Sequence, residues 1–503
     1  MITVDVGTLL PALAPLLGSV VVLVLDVLDP RGQRVHYAIA FISLVLGMFG
    51  TFGALGAPTG DELRTLCLPE GGACFYGASA LTTTLQLAAL LAAAITLLLA
   101  WPSERADETG RTAVTVSLLL AATGGAVGVA GARDLASWLI TLELATLPVV
   151  ALAALPGTRR ALAGAVQLVT TSLVSFAMLA LGAACWYAAT GSPVLAAAPA
   201  LAASSTPQRA LLALAVVLVL GGIAFKLSLV PFHAWTPTTY AGSPLPITVF
   251  LAGVSKVAAL AALLVVISAV TQLGRSALVG VAVLAIASMT LGNLMALRQD
   301  DVVRLLAWST VAQAGWVVVP LLSVSSFGSR AAAGYLLTYL VATLVAFTAV
   351  VMTVTAVGAR RGRDLDAYRS LVRSNPWVGG ALLLALTSLA GLPPGILGLI
   401  GKVVALRPVL AEGWWVVAVL AAANAVLGVA VYLRWVRVLL LPADPATSAT
   451  GPAQGTGQTA TTTRNTTLAR VRTHPSHLVA LGVGSAVLVL GSVQPELLLG
   501  LLG

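Results

Sequence analysis

The amino-acid sequence predicts an all-α polytopic membrane protein of about 14 transmembrane helices, and three observations support this prediction. Of the 503 residues, 59% are hydrophobic and only 9% are charged, whereas soluble domains carry about 25% charged residues. Apolar segments of about 20 residues recur along the chain, and each is long enough to cross about 30 Å of hydrocarbon. The arginines lie mainly in alternate connections between these segments.

The predicted spans are joined mostly by short connections. They cover residues 9–28, 36–55, 80–100, 112–131, 134–154, 162–187, 208–229, 245–270, 277–297, 303–323, 331–357, 377–407, 414–440 and 478–500. The N-terminal stretch MITVDVGTLL contains no lysine or arginine, so we expect no cleavable signal peptide there. The first span is therefore expected to remain in the protein.

The distribution of arginines predicts the orientation of the chain. Eighteen of the 24 arginines lie in one set of alternate connections, and the positive-inside rule makes that set cytoplasmic. Both termini are then expected outside. The formal net charge of +9 is accordingly explained by membrane orientation, and we expect no nucleic-acid partner.

Helix-breaking residues within apolar segments predict two inverted repeats. Lys226 precedes Pro231 in and after the seventh span, whereas Pro393 and Pro394 precede Lys402 in the twelfth. Paired broken helices in corresponding halves of a transporter mark ion sites. We therefore predict an N-terminal three-helix segment (1–110), five-helix repeats at 111–270 and 271–441, a flexible cytoplasmic linker (442–475) and a C-terminal transmembrane helix (476–503).

Three cysteines are too few for a disulfide framework or an iron–sulfur centre within this chain. Cys67 and Cys74 lie in a loop expected outside, where two free thiols are the simpler expectation and an oxidised pair remains open. Cys185 is expected to be a small core residue. No His/Cys cluster in the sequence suggests a metal site.

The only lysines in the chain, Lys226, Lys256 and Lys402, all lie within apolar segments. Arginine stays protonated at physiological pH, whereas a buried lysine can release its proton. The alternative is that each ammonium reaches the membrane interface from near a helix end, as Lys226 could do. The absence of lysine from every loop favours a functional, titratable cation inside the membrane.

One carboxylate, Glu143, lies deep in a predicted span, in LASWLITLELATLPVV. An unpaired carboxylate there is costly, so we expect a cationic partner. Burial favours a neutral lysine, whereas a carboxylate about 4 Å away favours a protonated one. A Glu–Lys contact that forms and breaks could therefore move a proton, and a static structural ion pair is the alternative.

His233 follows the break in LVPFHAWTP and is predicted to be the only histidine in or near the bundle core. The other histidines, His36, His474 and His477, are expected at span ends or in the linker. An imidazole suits proton transfer near neutral pH. A purely structural role is equally consistent with the sequence.

The run KLSLVPFHAWTPTTYAGSPLPITVFLAGVSKVAAL (226–260) resembles subunit N of bacterial respiratory complex I, the proton-translocating NADH–quinone oxidoreductase. The mitochondrial counterpart is NADH dehydrogenase subunit 2. The resemblance extends along most of the chain, through LAPLLGSVVVLVLDVL (13–28), GNLMALRQDDVVRLLAWSTVAQAGW (292–316), LAGLPPGILGLIGKVVAL (389–406) and NAVLGVAVYLRWVRV (424–438). Lys256 in SKVAAL and Lys402 distinguish the chain from the sibling subunits L and M.

The resemblance implies a role for each intramembrane residue. Glu143 modulates Lys226, His233 and Lys256 form a central relay, and Lys402 is the exit-side group. It also implies that the chain has no cofactor of its own, because NADH, FMN, iron–sulfur clusters and menaquinone or ubiquinone act elsewhere in the complex. The implied partners are subunits M, K and J and the lipid of a bacterial cell membrane.

Two positions depart from the family pattern. Gln167 stands where a buried lysine is common, and Gln313 stands where histidine is usual. Three alternatives remain open beside a pumping subunit, and the two glutamines favour the second of them. They are a stand-alone Mrp-type cation/proton antiporter, a structural arm subunit that no longer pumps, and a membrane-embedded lipid-linked transferase, which would need larger extracytoplasmic loops.

Overall fold

The computed structural model describes residues 3–30, 32–55, 62–69, 72–101, 111–195, 206–271, 275–442 and 474–502. Within these ranges the chain is a helical bundle with one small β-hairpin. Nearly all of the predicted linker, residues 443–473, lies outside the described residues.

The N-terminal part contains three long helices and the hairpin. They are α1 (Val6–Leu28), α2 (Gln33–Leu55), β1 (Leu63–Cys67), β2 (Cys74–Ala78) and α3 (Ala80–Leu99). The strands are antiparallel with Cys67 opposite Cys74, and these two cysteines form a disulfide. The expectation of two free thiols was therefore wrong, since strand pairing brings the two side chains together.

The first half of the bundle, which corresponds to the first predicted repeat, runs from α4 to α11. The helices are α4 (Arg111–Gly131), α5 (Leu135–Leu144), α6 (Leu147–Ala154), α7 (Arg159–Thr190), α8 (Thr206–Leu227), α9 (Trp235–Gly242), α10 (Leu245–Ala252) and α11 (Val254–Thr271). Helices α5 and α6 together form one span, as do α10 and α11.

The second half runs from α12 to α18, and two helices follow it. The helices are α12 (Arg275–Leu297), α13 (Val302–Val318), α14 (Ser326–Val357), α15 (Leu371–Ser374), α16 (Pro376–Ala390), α17 (Ile396–Ala411), α18 (Trp415–Leu440), α19 (Pro475–Val493) and α20 (Glu496–Leu499).

The predicted membrane spans are confirmed. Thirteen helices in the described part are long and apolar enough to cross a membrane. The remaining predicted span, 377–407, is divided into α16 and α17, which have 15 and 16 residues. A transmembrane span can consist of two helices when the backbone groups that lose their intrahelical hydrogen bonds are buried in protein or face a water-filled cavity.

The two predicted helix breaks have local causes. After α8 the chain passes through residues 228–234, where Pro231 cannot donate a backbone hydrogen bond. After α16, Gly391 adopts a φ of +80°, a left-handed conformation that ends helices and that glycine adopts most readily. Pro393 and Pro394 follow and prevent direct continuation of the helix.

His36 and His477 lie near the first residues of α2 and α19, at span ends as expected, but their burial differs from the expectation. His36 and His477 are only 1% and 7% exposed, whereas His233 is partly buried. His477 Nε2 lies 3.3 Å from the carbonyl oxygen of Leu99 at the end of α3. A helix end leaves carbonyl groups without intrahelical partners, which gives a polar side chain a reason to be buried there. His233 is therefore not the only core histidine.

Candidate functional site

All three lysine side chains are inside the bundle. Lys226, Lys256 and Lys402 are 5%, 2% and 6% exposed. This burial excludes the alternative in which the ammonium groups extend to the membrane interface. Each group must therefore be stabilised by polar neighbours within the protein.

Lys226 forms the predicted ion pair with Glu143. Its Nζ lies 3.3 Å from Glu143 Oε2 and donates a hydrogen bond to Thr146 Oγ1 at 2.6 Å. Glu143 is in the last turn of α5, and Thr146 lies between α5 and α6. Residues three apart on a helix lie on the same face, so the interruption of this span presents both oxygens to Lys226.

Lys256 is held by the end of a broken helix. Its Nζ donates to the carbonyl oxygen of Lys226 at 3.0 Å and to Ser228 Oγ at 2.6 Å, where α8 ends. The ammonium also lies 4.9 Å from the centroid of the Trp235 ring, a cation–π distance. No carboxylate in the described ranges forms an ion pair with Lys256.

Lys402 has the corresponding arrangement in the second half. Its Nζ donates to the carbonyl oxygens of Ala390 at 2.7 Å and Leu389 at 3.2 Å, at the end of α16, and lies 5.8 Å from the centroid of the Trp316 ring. Terminal helix carbonyls carry partial negative charge and attract cations. The breaks after α8 and α16 therefore provide the oxygen atoms that stabilise two buried ammonium groups without a carboxylate.

His233 lies beside the second half of the chain. Its ring is 5.3 Å from the ring of Trp308 in α13, measured between centroids. Its Nδ1 is buried and has no hydrogen-bond partner among the residues that the structure describes. The arrangement leaves a nitrogen available to a water molecule.

Gln167 does not replace the missing cation near Glu143. Its Nε2 donates to the carbonyl oxygen of Ala234 at 3.1 Å, in the turn before α9. Among the described residues, Lys226 is the only cation that forms an ion pair with Glu143. Gln167 instead joins α7 to the connection between α8 and α9.

Gln313 connects two buried tyrosines between α13, α14 and α18. Tyr335 donates its hydroxyl hydrogen to Gln313 Oε1, and Gln313 Nε2 donates to the Tyr432 hydroxyl oxygen at 2.9 Å. The Tyr432 and Ser309 hydroxyls lie 2.6 Å apart. The amide therefore has a fixed orientation, with its oxygen towards α14 and its nitrogen towards α18.

Small cavities adjoin two of the lysines. One of about 10 Å³ is lined by Lys226, Thr146 and Trp235, among others. A second of about 10 Å³ is lined by Lys402, Gln313 and Tyr339, and the buried Ser388 hydroxyl beside it has no partner among the described residues. A polar cavity of this size holds about one water molecule.

Sequence reasoning missed several residues of this site. Thr146 had a detectable signal, since it follows Glu143 by three residues. Trp235, Trp316 and Tyr432 had none, because an aromatic residue in an apolar helix looks like an ordinary core residue. Their proximity to the polar groups depends on how helices distant in sequence pack.

A helical membrane bundle with discontinuous helices around buried ionisable groups belongs to the transporter class of architectures. The family model described as NADH:quinone oxidoreductase/Mrp antiporter, TM, matches residues 132–428. The chain belongs to this family, on the branch formed by subunit N of NADH–quinone oxidoreductase.

Curated relatives match this chain over most of its length. NADH-quinone oxidoreductase subunit N of Salinispora tropica is 39% identical over 466 residues, which cover 90% of this chain and 88% of the relative. NADH-quinone oxidoreductase subunit N 2 of Streptomyces griseus subsp. griseus is 35% identical over 513 residues, covering 98% of this chain and 94% of the relative.

Solved structures have the same fold. A chain of respiratory complex I from Thermus thermophilus with bound aureothin superposes with a TM-score of 0.76 and 29% identity, covering 97% of this chain and 98% of that one. A chain of the Mrp complex from Dietzia sp. gives a TM-score of 0.82 at 21% identity, covering 99% and 96%. The Mrp likeness is evidence for the fold alone, whereas the curated relatives support the subunit N assignment over the stand-alone antiporter.

Proposed function

We propose that this chain translocates protons as the subunit N component of a bacterial NADH–quinone oxidoreductase, through Glu143, Lys226, His233, Lys256 and Lys402. The observation that carries the proposal is the burial of every lysine in the chain, one of them paired with Glu143 and two held by carbonyl oxygens of broken helices. A titratable cation in a membrane protein is costly and marks an ion or proton pathway.

The first step concerns the Glu143–Lys226 pair. When the carboxylate is close, Lys226 keeps its proton, and when the contact breaks, the buried ammonium loses that stabilisation and can release the proton. Lys256 Nζ donates a hydrogen bond to the carbonyl oxygen of Lys226, so the ammonium of Lys256 lies at the end of α8, the helix that carries Lys226. A proton released by Lys226 passes through water and the adjacent hydroxyls to Lys256, once Lys256 has become a neutral amine by giving its own proton to Lys402.

His233 has a supporting role in this part of the route. Its buried Nδ1 without a partner in the described ranges can bind a water molecule at the break between α8 and α9. An imidazole can accept a proton at one nitrogen and donate one at the other. His233 therefore connects the broken helix with water near α13.

The next step leads from Lys256 to Lys402. Glutamine has an amide that neither accepts nor releases protons at physiological pH, so the proton bypasses the Gln313 side chain. Tyr339 donates to Thr310 at 3.0 Å and lines the cavity beside Lys402. Water held between these hydroxyls and Lys402 completes the route. Lys402 first releases its proton towards the outside, and the neutral amine then accepts the proton from Lys256.

The energy for this transfer comes from electron transfer in other subunits. NADH, FMN, iron–sulfur clusters and a quinone, menaquinone or ubiquinone, carry the electrons there, and this chain provides only proton-transfer groups. The adjoining subunits are the antiporter-like subunit M and the small subunits K and J. The chain lies in the bacterial plasma membrane with its arginine-rich connections in the cytoplasm and both termini outside.

The test uses the whole complex in proteoliposomes. Lys256→Ala should lower the number of protons taken up per electron and leave NADH oxidation by an uncoupled sample nearly unchanged, because no redox group is altered. Arg361→Gln, at an exposed arginine outside the site, is the control and should match the unmodified complex. An unchanged ratio in an assembled Lys256→Ala complex contradicts the proposal.

A further inference from the structure

Arg363 connects the first half of the bundle (α4 to α11) with the second half (α12 to α18). It lies in the connection between α14 and α15 and is largely buried. Its Nη1 donates to the carbonyl oxygen of Ala241 at 2.8 Å. Its Nε forms an ion pair with Asp301 Oδ2 at 3.2 Å, without the geometry of a hydrogen bond. One guanidinium group thus contacts the first half through Ala241 and the second half through Asp301.

On the first-half side, the contact is with the half-helix that surrounds Lys256. Ala241 lies in the last turn of α9 (Trp235–Gly242). The first turn of α9 supplies the Trp235 ring beneath the Lys256 ammonium and Thr236, whose hydroxyl donates to Ser228 Oγ at 2.6 Å. Arg363 therefore holds one end of a short helix whose other end positions two groups around Lys256.

On the second-half side, the contact is with the start of α13. Asp301 is the N-cap of this helix, and its Oδ1 accepts hydrogen bonds from the backbone N–H groups of Val303 at 2.9 Å and Arg304 at 3.1 Å. Helix α13 carries Ser309, Thr310 and Gln313. The carboxylate therefore uses one oxygen to fix the helix and the other to face Arg363.

The backbone around Arg363 is also fixed. Asp301 and Asp364 form an isolated antiparallel bridge, and the N–H of Leu365 donates to the carbonyl oxygen of Asp300 at 2.9 Å. Arg363 therefore has a fixed position relative to α13 and can hold the end of α9 at a fixed position as well. An exposed, mobile arginine could not do this, because it would lose its geometry to side-chain entropy.

We infer that Arg363 is a positioning residue for proton transfer, and that its contacts with Asp301 and Ala241 hold the groups around Lys256 in register with the Thr310 hydroxyl on α13. The inference rests on the proposed function. Proton transfer requires donor and acceptor within hydrogen-bond reach, and a displacement of about 1 Å can slow such a step about 100-fold. Helix α9 also packs directly against α13, so loss of the Arg363 contacts shifts the end of α9 and thereby acts on the transfer between the two halves.

The test measures protons taken up per electron in reconstituted complex carrying Asp301→Asn or Arg363→Lys. Asparagine caps helices as well as aspartate, so Asp301→Asn keeps α13 intact and removes only the charge facing Arg363. Lysine keeps the charge of Arg363 but lacks the fork that reaches both partners. Asp366→Asn is the matched control, because it removes an exposed pair with Arg369, at 3.0 Å, in the same connection.

We expect both variants to slow transfer through this subunit about 2- to 30-fold and so to lower the proton-to-electron ratio towards that of Lys256→Ala. The proton-to-electron ratio of the Asp301→Asn/Arg363→Lys double variant should be no lower than that of either single variant. The Asp366→Asn control should have the ratio of the unmodified complex. The ratio is read on assembled complex, so a lower yield with a normal ratio identifies a merely structural contact and overturns the inference.

The same experiment distinguishes failure of the positioning role of Arg363 from failure of the proposed function. If Lys256→Ala lowers the ratio while Asp301→Asn and Arg363→Lys leave it unchanged, the positioning role of Arg363 is wrong and the proposed function stands. If Lys256→Ala itself leaves the ratio unchanged, the proposed function fails first.

Discussion

Replacement of Glu143 by glutamine is expected to destabilise the protein strongly, because Lys226 is then either a buried ammonium without a carboxylate or must give up its proton, and each of these states costs free energy. The side chains of the pair are 5% and 12% exposed, and removing one partner of a buried ion pair costs about 3–5 kcal/mol. Thr146 remains as a hydrogen-bond acceptor but provides no compensating charge. The measurement is the midpoint of heat-induced loss of the assembled complex.

A second variant separates stability from function at this pair. Glu143→Gln combined with Lys226→Met removes both charges, and replacing a buried ion pair by neutral side chains of similar volume is often neutral or stabilising. We expect the double variant to recover the heat stability and to remain defective in proton translocation. If the single and double variants lose heat stability equally, the broken ion pair is not the cause of the lost stability.

Replacement of Gly398 by alanine is expected to displace Lys402 from the oxygens that hold it. A Cβ atom on Gly398 would lie 1.7 Å from the Ser388 carbonyl oxygen and 2.6 Å from its carbonyl carbon, so α17 must move away from α16. Lys402 is one turn further along α17 and would lose its hydrogen bonds to Leu389 and Ala390. Overpacking alone costs about 1–3 kcal/mol, and the unpaired ammonium adds to it.

Gly380→Ala provides the matched control. Gly380 lies in α16, and a Cβ atom there meets no heavy atom within 4 Å, so the substitution should improve helix stability by up to about 1 kcal/mol. The two variants are compared by the yield of assembled complex and by its heat stability. If Gly398→Ala behaves like Gly380→Ala, the close approach of α16 and α17 is not needed at this position.

The sequence predicted the spans because membrane helices are specified by local properties. Each apolar segment needs only its own length and hydropathy to be identified, and Pro and Gly marked the breaks near Pro231 and Gly391. The hairpin Leu63–Cys67/Cys74–Ala78 was missed because its strands are short and have no buried alternating face. For the same reason, two free thiols at Cys67 and Cys74 were the simpler expectation, although these residues form a disulfide.

The candidate site was predictable where a charge lies in an apolar helix. The cost of an unpaired carboxylate predicted a cationic partner for Glu143, the family resemblance implied that this partner is Lys226, and the two side chains form an ion pair. The carbonyl oxygens that hold Lys256 and Lys402 were not foreseeable in the same way. Backbone groups are present at every residue, and only the three-dimensional positions of the helix ends determine which of them remain available to a distant lysine.

We propose a single route in which Lys256 passes protons to Lys402. The proton-to-electron ratio of three reconstituted complexes tests this route. They carry Lys256→Ala, Lys402→Ala, and both substitutions together. Steps in series on one route are blocked as fully by one substitution as by two, so we expect the same reduced ratio for all three complexes. A double variant that pumps fewer protons than either single variant, or single variants with an unchanged ratio, would contradict it.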